Sequence, residues 1–307
     1  MTAERFVVTL LGADLGDAQL KDIDTALAAH GLTVDTRRDL GVAHAVAHEI
    51  RATASAPVAR RTVDLGLRAV TACWPGLDAV IQRESVHRQP RRLVALDMDS
   101  TLITVETMNE IARVAGIADR VTPITTRANA GTVDFDESLR QRVALLEGFP
   151  EAPLRALAAT TRLTAGADLL VATLHRCGHR VAVLSAGFTW FCDDVKARLA
   201  LDHVRSNTLE VEDGRLTGRL LGPIVNARLK GEMLDRLLID ESLPREAAVA
   251  IGDGANDVEM LARAGLGIAF NGKPPAREAA SAVISQPSLA CVLYLLGMTD
   301  EEIGERQ

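Results

Sequence analysis

The first ninety residues alternate short apolar runs with amphipathic segments. Four apolar, β-branched runs predict strands at residues 5–11, 32–40, 42–50 and 77–83. Apolar residues at helical spacing, such as Leu20, Ile23 and Leu27, predict helices at residues 17–30 and 57–72. The resulting order β-α-β-β-α-β is that of a small α+β unit of the ferredoxin-like kind.

A polar stretch over residues 85–92, which contains Pro90, predicts a linker to a second domain. We therefore place the domains at residues 1–88 and 89–307. After one short apolar run, residues 104–162 show helical patterns and no convincing strand, with helices predicted at 105–115, 118–130, 135–146 and 151–161. Asp134 and Glu137 form a capping-box pattern before the third of these helices. An insertion of this length predicts a helical cap over about residues 104–163.

From residue 165 onward, strands and helices alternate. Strands are predicted at residues 180–184, 247–251, 266–270 and 282–285, and helices at 165–177, 189–201, 227–238, 258–264 and 290–296. Asp213-Gly214 predicts a hairpin turn within residues 209–220. This alternation predicts an α/β fold with a Rossmann-like, largely parallel sheet.

Composition narrows the class of protein. The chain has 307 residues, of which 48% are apolar and 24% charged, as is ordinary for a globular protein. Its net charge of −7 argues against binding to nucleic acid or to an anionic membrane. The four cysteines form no Cys-x-x-Cys pair, which argues against a metal or redox motif. No apolar run could span a bilayer and the N-terminus lacks signal-peptide features, so we expect a cytoplasmic protein.

Polar side chains follow three of the predicted strands. Asp97 and Asp99 follow the run Leu93-Val-Ala-Leu, Ser185 follows the second strand of the domain, and Asp253 follows a later one. On its own, Asp-x-Asp-x-Thr also fits an ordinary turn. Because parallel strands end at one edge of a sheet, where such folds bind ligands, we expect these side chains to converge.

The chemistry of this set suits phosphoryl transfer. Asp97, Asp253 and Asp257 offer hard oxygen ligands of the kind that Mg²⁺ prefers. Ser185 and the amides after it can bind phosphate oxygens, and Lys230 adds positive charge. A carboxylate next to such a cation can attack phosphorus, while a second one carries the proton.

The same residues carry a resemblance to the haloacid dehalogenase superfamily. Asp97-Met-Asp-Ser-Thr, Ser185, Lys230 and Gly252-Asp-Gly-Ala-Asn-Asp occur in the order of that superfamily. Residues 97–112, 134–143 and 249–269 are similar to those of its phosphoserine phosphatases. The resemblance implies hydrolysis of O-phospho-L-serine to L-serine and phosphate through an aspartyl phosphate, the last step of serine biosynthesis.

The resemblance also implies a role for each matching residue. Asp97 is similar to the nucleophile and Asp99 to the general acid and base. The residues implied to hold Mg²⁺ are Asp97, Asp99 through its carbonyl, Asp253 and, in support, Asp257. The residues implied to bind substrate are Glu106 for the ammonium, Arg142 for the carboxylate, Ser185, Gly187 and Lys230 for the phosphate, and Asn256. Two departures are Ala186, where glycine is usual, and Asn226, where aspartate is common.

The N-terminal unit resembles an ACT-type regulatory domain, which implies a homodimer and a site for serine at the loop over residues 12–16. Two alternatives to phosphoserine hydrolysis stay open. The chain could act on another small phosphate ester or transfer the phosphoryl group to an alcohol. It could also be an amino-acid sensor with a vestigial phosphatase domain, although every catalytic position is filled.

Overall fold

A computed structural model describes residues 4–90 and 92–304 of the chain. The N-terminal unit is the predicted βαββαβ fold, with its antiparallel sheet in the order β2-β3-β1-β4. Its elements are β1 (Glu4–Gly12), α1 (Asp17–Ala29), β2 (Leu32–Gly41), β3 (Val46–Ala54), α2 (Arg60–Thr71) and β4 (Asp78–Arg83). Alternate residues of β1, such as Phe6 and Val8, pack with α1 and α2 in one hydrophobic cluster. Leu11 instead joins the core of the second domain, so the strand is buried on both faces and reads as one apolar run.

The third strand starts four residues later than the pattern predicts. Residues 42–45 form the turn before it, and Asp300 Oδ2 accepts hydrogen bonds from the amides of Val42 at 2.7 Å and Ala43 at 3.0 Å. Asp300 begins a short C-terminal helix, α14 (Asp300–Gly304), which the acidic tail sequence does not predict. The turn is therefore held by a residue more than 250 positions away.

The second domain is built on a seven-stranded sheet in the order β11-β10-β9-β5-β6-β7-β8. All neighbouring strands are parallel except the last pair, β7 and β8. The strands are β5 (Leu93–Leu96), β6 (Arg180–Phe188), β7 (His203–Glu212), β8 (Arg215–Leu221), β9 (Ala248–Gly252), β10 (Leu266–Phe270) and β11 (Ala282–Ile284). Along β5, Val94 and Leu96 belong to one core cluster, and Leu93 and Ala95 to the other. The predicted α/β fold with a largely parallel sheet is confirmed.

Helices cover both faces of this sheet and supply the inserted cap. Four helices form the cap: α4 (Thr107–Val114), α5 (Ala118–Asn129), α6 (Phe135–Ala144) and α7 (Ala152–Thr160). The others are α8 (Ala167–Arg176), α9 (Thr189–Leu199), α10 (Ala227–Asp240), α11 (Val258–Arg263), α12 (Pro274–Ala279) and α13 (Cys291–Leu295). Asp134 caps α6 as predicted, since its Oδ1 accepts from the amide of Glu137 at 3.0 Å. Among these helices none is long and apolar enough to cross a membrane, within the range that the structure describes.

The hairpin of β7 and β8 turns at the predicted dipeptide. Asp213 and Gly214 have φ of 50° and 74°, the left-handed conformation that a two-residue hairpin of this kind needs at both positions. The amide of Glu151 donates to the carbonyl of Gly214 at 3.0 Å. The hairpin therefore also supports the start of cap helix α7.

The predicted linker between the domains is partly folded. It contains the short helix α3 (Glu84–His87), and Arg92 is 2% exposed. The guanidinium of Arg92 donates to the carbonyl of Val86 at 3.0 Å. The connection is folded onto the second domain, because the buried arginine ties it there.

The two domains meet along sheet edges. Strand β4 is an edge of the N-terminal sheet and packs beside β11, an edge of the larger sheet. Side chains join them: Asp78 Oδ2 accepts from the amide of Ser285 at 2.7 Å, and Gln82 Nε2 donates to the carbonyl of Leu295 at 2.8 Å. The strands belong to separate sheets, so the contact between them is made by side chains and apolar packing.

A buried ion cluster at the same interface makes stability depend on pH. Glu49, on β3, is 1% exposed and lies 3.2 Å from His87 Nε2, 3.1 Å from Arg38 Nη2 and 3.0 Å from Arg51 Nε. Burial alone would raise the pKa of Glu49, but the hydrogen bond and charge of His87, with Arg38, lower it from 4.5 to about 2. A lowered folded-state pKa contributes stability that is present above the unfolded pKa and is lost as the pH falls through the folded one.

We expect the free energy of unfolding to fall by about 3 kcal/mol from this group between pH 4.5 and pH 2, since each pKa unit corresponds to about 1.4 kcal/mol. Glu49→Gln should be less stable than the wild type at pH 7 and should show a flatter decline over that range. Denaturant unfolding at several pH values measures both effects. Glu232→Gln, at an exposed helix position, is the control, and parallel wild-type and Glu49→Gln curves would contradict the assignment.

Candidate active site

The predicted polar residues meet at the carboxyl edge of the sheet. β5 leads into Asp97, β6 contains Ser185, and β9 leads into Asp253. The amide of Asp97 donates to the carbonyl of Ile251 at 2.9 Å, which joins the ends of β5 and β9. The turn after Asp97 is tight, with Ser100 at a φ of 56°. The amide of Ser100 donates to the carbonyl of Val105 at 3.1 Å, which closes the turn.

A buried lysine links two of the aspartates. Lys230 is 0% exposed, and its Nζ donates to Asp97 Oδ1 at 2.6 Å and to Asp257 Oδ1 at 2.7 Å. It lies in the first turn of α10, whose N-terminal cap is Asn226. Burial disfavours the charge of Lys230, but Asp257 and Asp97 more than offset this effect and raise its pKa. Burial also raises the pKa of Asp97, and the charge of Asp257 adds to the effect.

Both carboxylate oxygens of Asp257 are already bonded within the protein. Its Oδ1 accepts from Lys230, and its Oδ2 accepts from the amides of Asp253 and Gly254, each at 3.0 Å. Asp257 therefore fixes the loop after β9 and the position of the lysine ammonium.

Asp99 accepts hydrogen bonds at the N-terminus of α4, the first helix of the inserted cap. Its Oδ2 accepts from the amide of Thr107 at 3.0 Å and from the Thr107 hydroxyl at 2.7 Å, whereas its buried Oδ1 has no partner among the described residues. Burial raises the pKa of Asp99 to about 7, although the hydrogen bonds from Thr107 lower it. The structure therefore leaves one Asp99 oxygen available to a ligand.

The donor set fits a hard divalent cation. Asp97, Asp253 and Asp257 are buried and each offers an oxygen within 4.8 Å of the others. One oxygen of Asp97 makes no described hydrogen bond, and Asp253 has one oxygen beyond the one that faces Lys273 at 3.0 Å. Carboxylate oxygens without sulfur or imidazole suit Mg²⁺. Asp97 and Asp253 are better placed than Asp257 to bind it directly, because both oxygens of Asp257 are used.

A small cavity lies above these aspartates and under the cap. Seven of the predicted site residues line it: Asp97, Asp99, Glu106, Arg142, Gly187, Asp253 and Asn256. Arg142, on α6, is 9% exposed, and its Nε donates to the Ser138 carbonyl at 3.1 Å. The cavity holds about 70 Å³, far below the roughly 300 Å³ or more of typical ligand pockets. The cap therefore leaves little free volume above the aspartates.

The remaining predicted residues lie directly behind the cavity. Ser185 is fully buried, and its Oγ accepts from the amide of Gly187 at 2.9 Å. That amide is therefore occupied, while the Ser185 hydroxyl keeps a proton to donate. A Cβ at Gly187 would lie 2.7 Å from Met98 Cε and 3.0 Å from both Ser185 Oγ and Thr107 Oγ1, so it would crowd the side chains around the site. The carbonyl of Ala186 accepts from Asn207 Nδ2 at 2.8 Å, and the methyl group of Ala186 lines the cavity.

The presence of asparagine at position 226, where aspartate is common, is explained by its hydrogen bonds. Its Oδ1 accepts from the amide of Leu229 at 3.0 Å, and its Nδ2 donates to both oxygens of Asp136, at 3.0 and 3.2 Å. Asp136 lies on cap helix α6, so this contact joins the start of α10 to the cap. An aspartate at position 226 would face Asp136 with like charge, so asparagine suits this cap.

Two residues of the site were missed from the sequence. Thr107 holds Asp99, as described above, and its place at a helix start was the one available signal. Lys273 Nζ lies 3.0 Å from Asp253 Oδ2 and 3.2 Å from Glu106 Oε1, where it links a cation ligand to a cap residue. No motif identified Lys273, because it enters the site from the loop after β10.

Comparisons with known proteins agree with this geometry. Residues 94–262 match the family of haloacid dehalogenase-like hydrolases. A phosphoserine phosphatase from Streptomyces coelicolor is 46% identical over 228 residues, which cover 74% of this chain and 56% of that protein. The chain thus spans just over half the length of that relative.

Two further proteins extend the match. The phosphoserine phosphatase SerB2 of Mycobacterium tuberculosis is 38% identical over 296 residues, which cover 96% of this chain and 72% of that protein. A solved structure, described as a phospho-aspartyl intermediate analogue of phosphoserine phosphatase, is 39% identical with a TM-score of 0.64. It covers 67% of this chain and 99% of its own.

Proposed function

We propose a reaction from the premise that this chain belongs to the haloacid dehalogenase-like hydrolase family. The reaction is Mg²⁺-dependent hydrolysis of O-phospho-L-serine to L-serine and phosphate, the last step of serine biosynthesis. One observation carries it. One cavity is lined by the Asp97–Asp99 pair together with an acidic residue, Glu106, and a basic residue, Arg142, of the cap. Those two charges are complementary to the ammonium and carboxylate of an amino acid.

Asp97 is the nucleophile of this proposal. Lys230 holds one of its oxygens, so the other can attack phosphorus and form an aspartyl phosphate as the serine oxygen leaves. Asp99, fixed by Thr107 with one oxygen unpartnered, protonates that leaving oxygen and later takes a proton from the attacking water. Asp97, the Asp99 carbonyl and Asp253, with Asp257 in support, would hold Mg²⁺, which would supply positive charge to offset that of the phosphoryl group.

Substrate recognition is divided between sheet and cap. Ser185, Gly187 and Lys230 surround the phosphate, and Asn256 lines the same cavity. Glu106 meets the ammonium, and Arg142 forms a two-pronged pair with the carboxylate. Glu106 immediately precedes α4, and Arg142 lies on α6. A substrate that contacts both residues therefore holds the cap over the cavity and excludes water.

A phosphate-release panel tests the reaction. Phosphoserine should be hydrolysed with a higher kcat/KM than phosphoglycolate or sugar phosphates, and chelation of Mg²⁺ should abolish release. Equal rates on all substrates would contradict the amino-acid specificity. Acceleration by added alcohols, with a phosphorylated product, would instead favour phosphoryl transfer.

The role of Glu106 gives a sharper prediction. Glu106→Gln should lower kcat/KM for phosphoserine by about 10- to 100-fold, because a hydrogen bond to a charged group contributes about 1.5–3 kcal/mol. It should change kcat/KM for phosphoglycolate, which has no ammonium, far less. Glu110→Gln, on the outer face of the same helix and paired with Arg113, is the matched control. An equal loss on both substrates would contradict contact with the ammonium.

For the N-terminal unit, we propose that it pairs in a homodimer and binds serine near residues 12–16. Its ferredoxin-like topology supports both, and helix α1 begins where that loop ends. Calorimetry of the full chain with serine tests the binding, and sedimentation tests the dimer. No heat, or a monomer at assay concentration, would contradict the respective proposal.

A further inference from the structure

A cationic cleft lies between the two domains, away from the catalytic cavity. It holds about 440 Å³, against about 70 Å³ for the cavity above Asp97. One wall comes from the N-terminal unit, at the start of α2 and the end of β4, and the other from residues 245–246, 264–266 and 281 of the second domain. A molecule bound here would contact both domains.

Four arginines line this cleft, with one acidic residue among the described lining residues. Arg83 is paired with Glu4 at 2.9 Å. The other three arginines have no carboxylate partner within the described part of the chain. Arg60 Nη1 donates to the carbonyl of Ser281 at 3.1 Å, and Arg245 donates to the carbonyls of Ala262 and Arg263. Carbonyl oxygens satisfy N–H groups but do not neutralise a guanidinium.

The electrostatics at Arg60 show the excess of positive charge. Burial lowers the pKa of Arg60, and the charges of Arg61 and Arg83 act in the same direction. Asp64 opposes them, but it is itself paired with Arg68 at 3.0 Å. Arg61 makes no hydrogen bond or ion pair with any described residue. In a chain with a net charge of −7, this local excess attracts anions.

We propose that the interdomain cleft binds a small, multiply charged anion. The guanidinium fork matches the oxygens of phosphoryl and carboxylate groups, and several arginines in one concave site favour a ligand with more than one such group. The volume is that of a pocket for a small molecule. The bound anion bridges α2 and β4 to the segment before β10, so it fixes the N-terminal unit on the catalytic domain.

Isothermal titration of the full chain tests this site, with inorganic tripolyphosphate and citrate as two separate probes. Saturable binding of one equivalent is expected for at least one probe. Binding of tripolyphosphate alone would identify a phosphoryl ligand. Binding of both probes would identify a general polyanion site. The variant Arg61→Ala/Arg83→Ala should weaken the affinity at least tenfold, and its KM for phosphoserine should stay within twofold of the wild type.

The control is Arg155→Ala/Arg236→Ala, which removes the same charge from exposed helix positions with 64% and 73% exposure. It should bind the probes like the wild type. No saturable heat with either probe would overturn the proposal, as would equal weakening in both double variants. An unchanged affinity in the cleft variant would overturn it as well. The binding results do not depend on whether phosphoserine is the substrate, so a failure of this proposal is distinguishable from a failure of the proposed function.

Discussion

Asp97→Asn should abolish phosphate release without loss of stability. Removal of a nucleophile typically costs at least about 10⁴-fold in kcat, because an amide nitrogen or oxygen cannot form the aspartyl phosphate. The buried group of Asp97, Asp257 and Lys230 carries two negative charges and one positive charge. Asparagine makes this group neutral and keeps its shape. We therefore expect a midpoint of thermal unfolding equal to or above that of the wild type, both measured without Mg²⁺.

The measurement pairs single-turnover phosphate release with a thermal melt. Asp235→Asn, at a half-exposed position beside Arg263, is the matched control and should keep full activity. Retained activity in Asp97→Asn would refute the nucleophile assignment. Loss of activity together with a large drop in the melting temperature would refute the electrostatic account.

Lys230→Met should have the opposite effect on stability. It leaves Asp97 and Asp257 buried without their shared cation, and removal of one partner from a buried ion pair typically costs about 3–5 kcal/mol. Activity should also fall, because Lys230 fixes the attacking carboxylate and offsets phosphoryl charge. Urea unfolding measures the first effect, and phosphate release measures the second.

A double variant separates these causes. In Lys230→Met/Asp97→Asn one carboxylate charge is gone as well, so the double variant should be more stable than Lys230→Met alone. Simple addition of the two single effects would contradict a direct interaction. Lys196→Met, at an exposed position of α9, controls for the loss of a lysine charge.

The sequence predicts those parts of the site whose positions follow from the order of strands and helices along the chain. Parallel strands must end at one edge, so Asp97, Ser185 and Asp253 were bound to converge once the strands were recognised. Helical periodicity and one capping pattern were enough for the cap. These signals lie in short stretches of sequence, so they can be recognised without knowing which other elements pack against those stretches.

Contacts set by the reach of long side chains could not be predicted in this way. Lys273 bridges Asp253 and Glu106 from a loop with no distinguishing pattern. Arg92 reads as part of a polar linker, yet it is buried because carbonyls of the preceding short helix accept its guanidinium. The turn before β3 depends on Asp300, at the other end of the chain. Such partners are fixed by tertiary packing, and the sequence carries no spacing that reveals them.

The two edge strands that meet at the domain interface, β11 and β4, differ in length, so separation of the domains would expose edges of different size. Strand β11 has three residues, a short edge that offers little for another chain to join. Strand β4 has six residues, and five of them are buried in the full chain. A catalytic domain without the N-terminal unit would thus present only the short edge of β11, whereas a free N-terminal unit would expose the longer edge of β4.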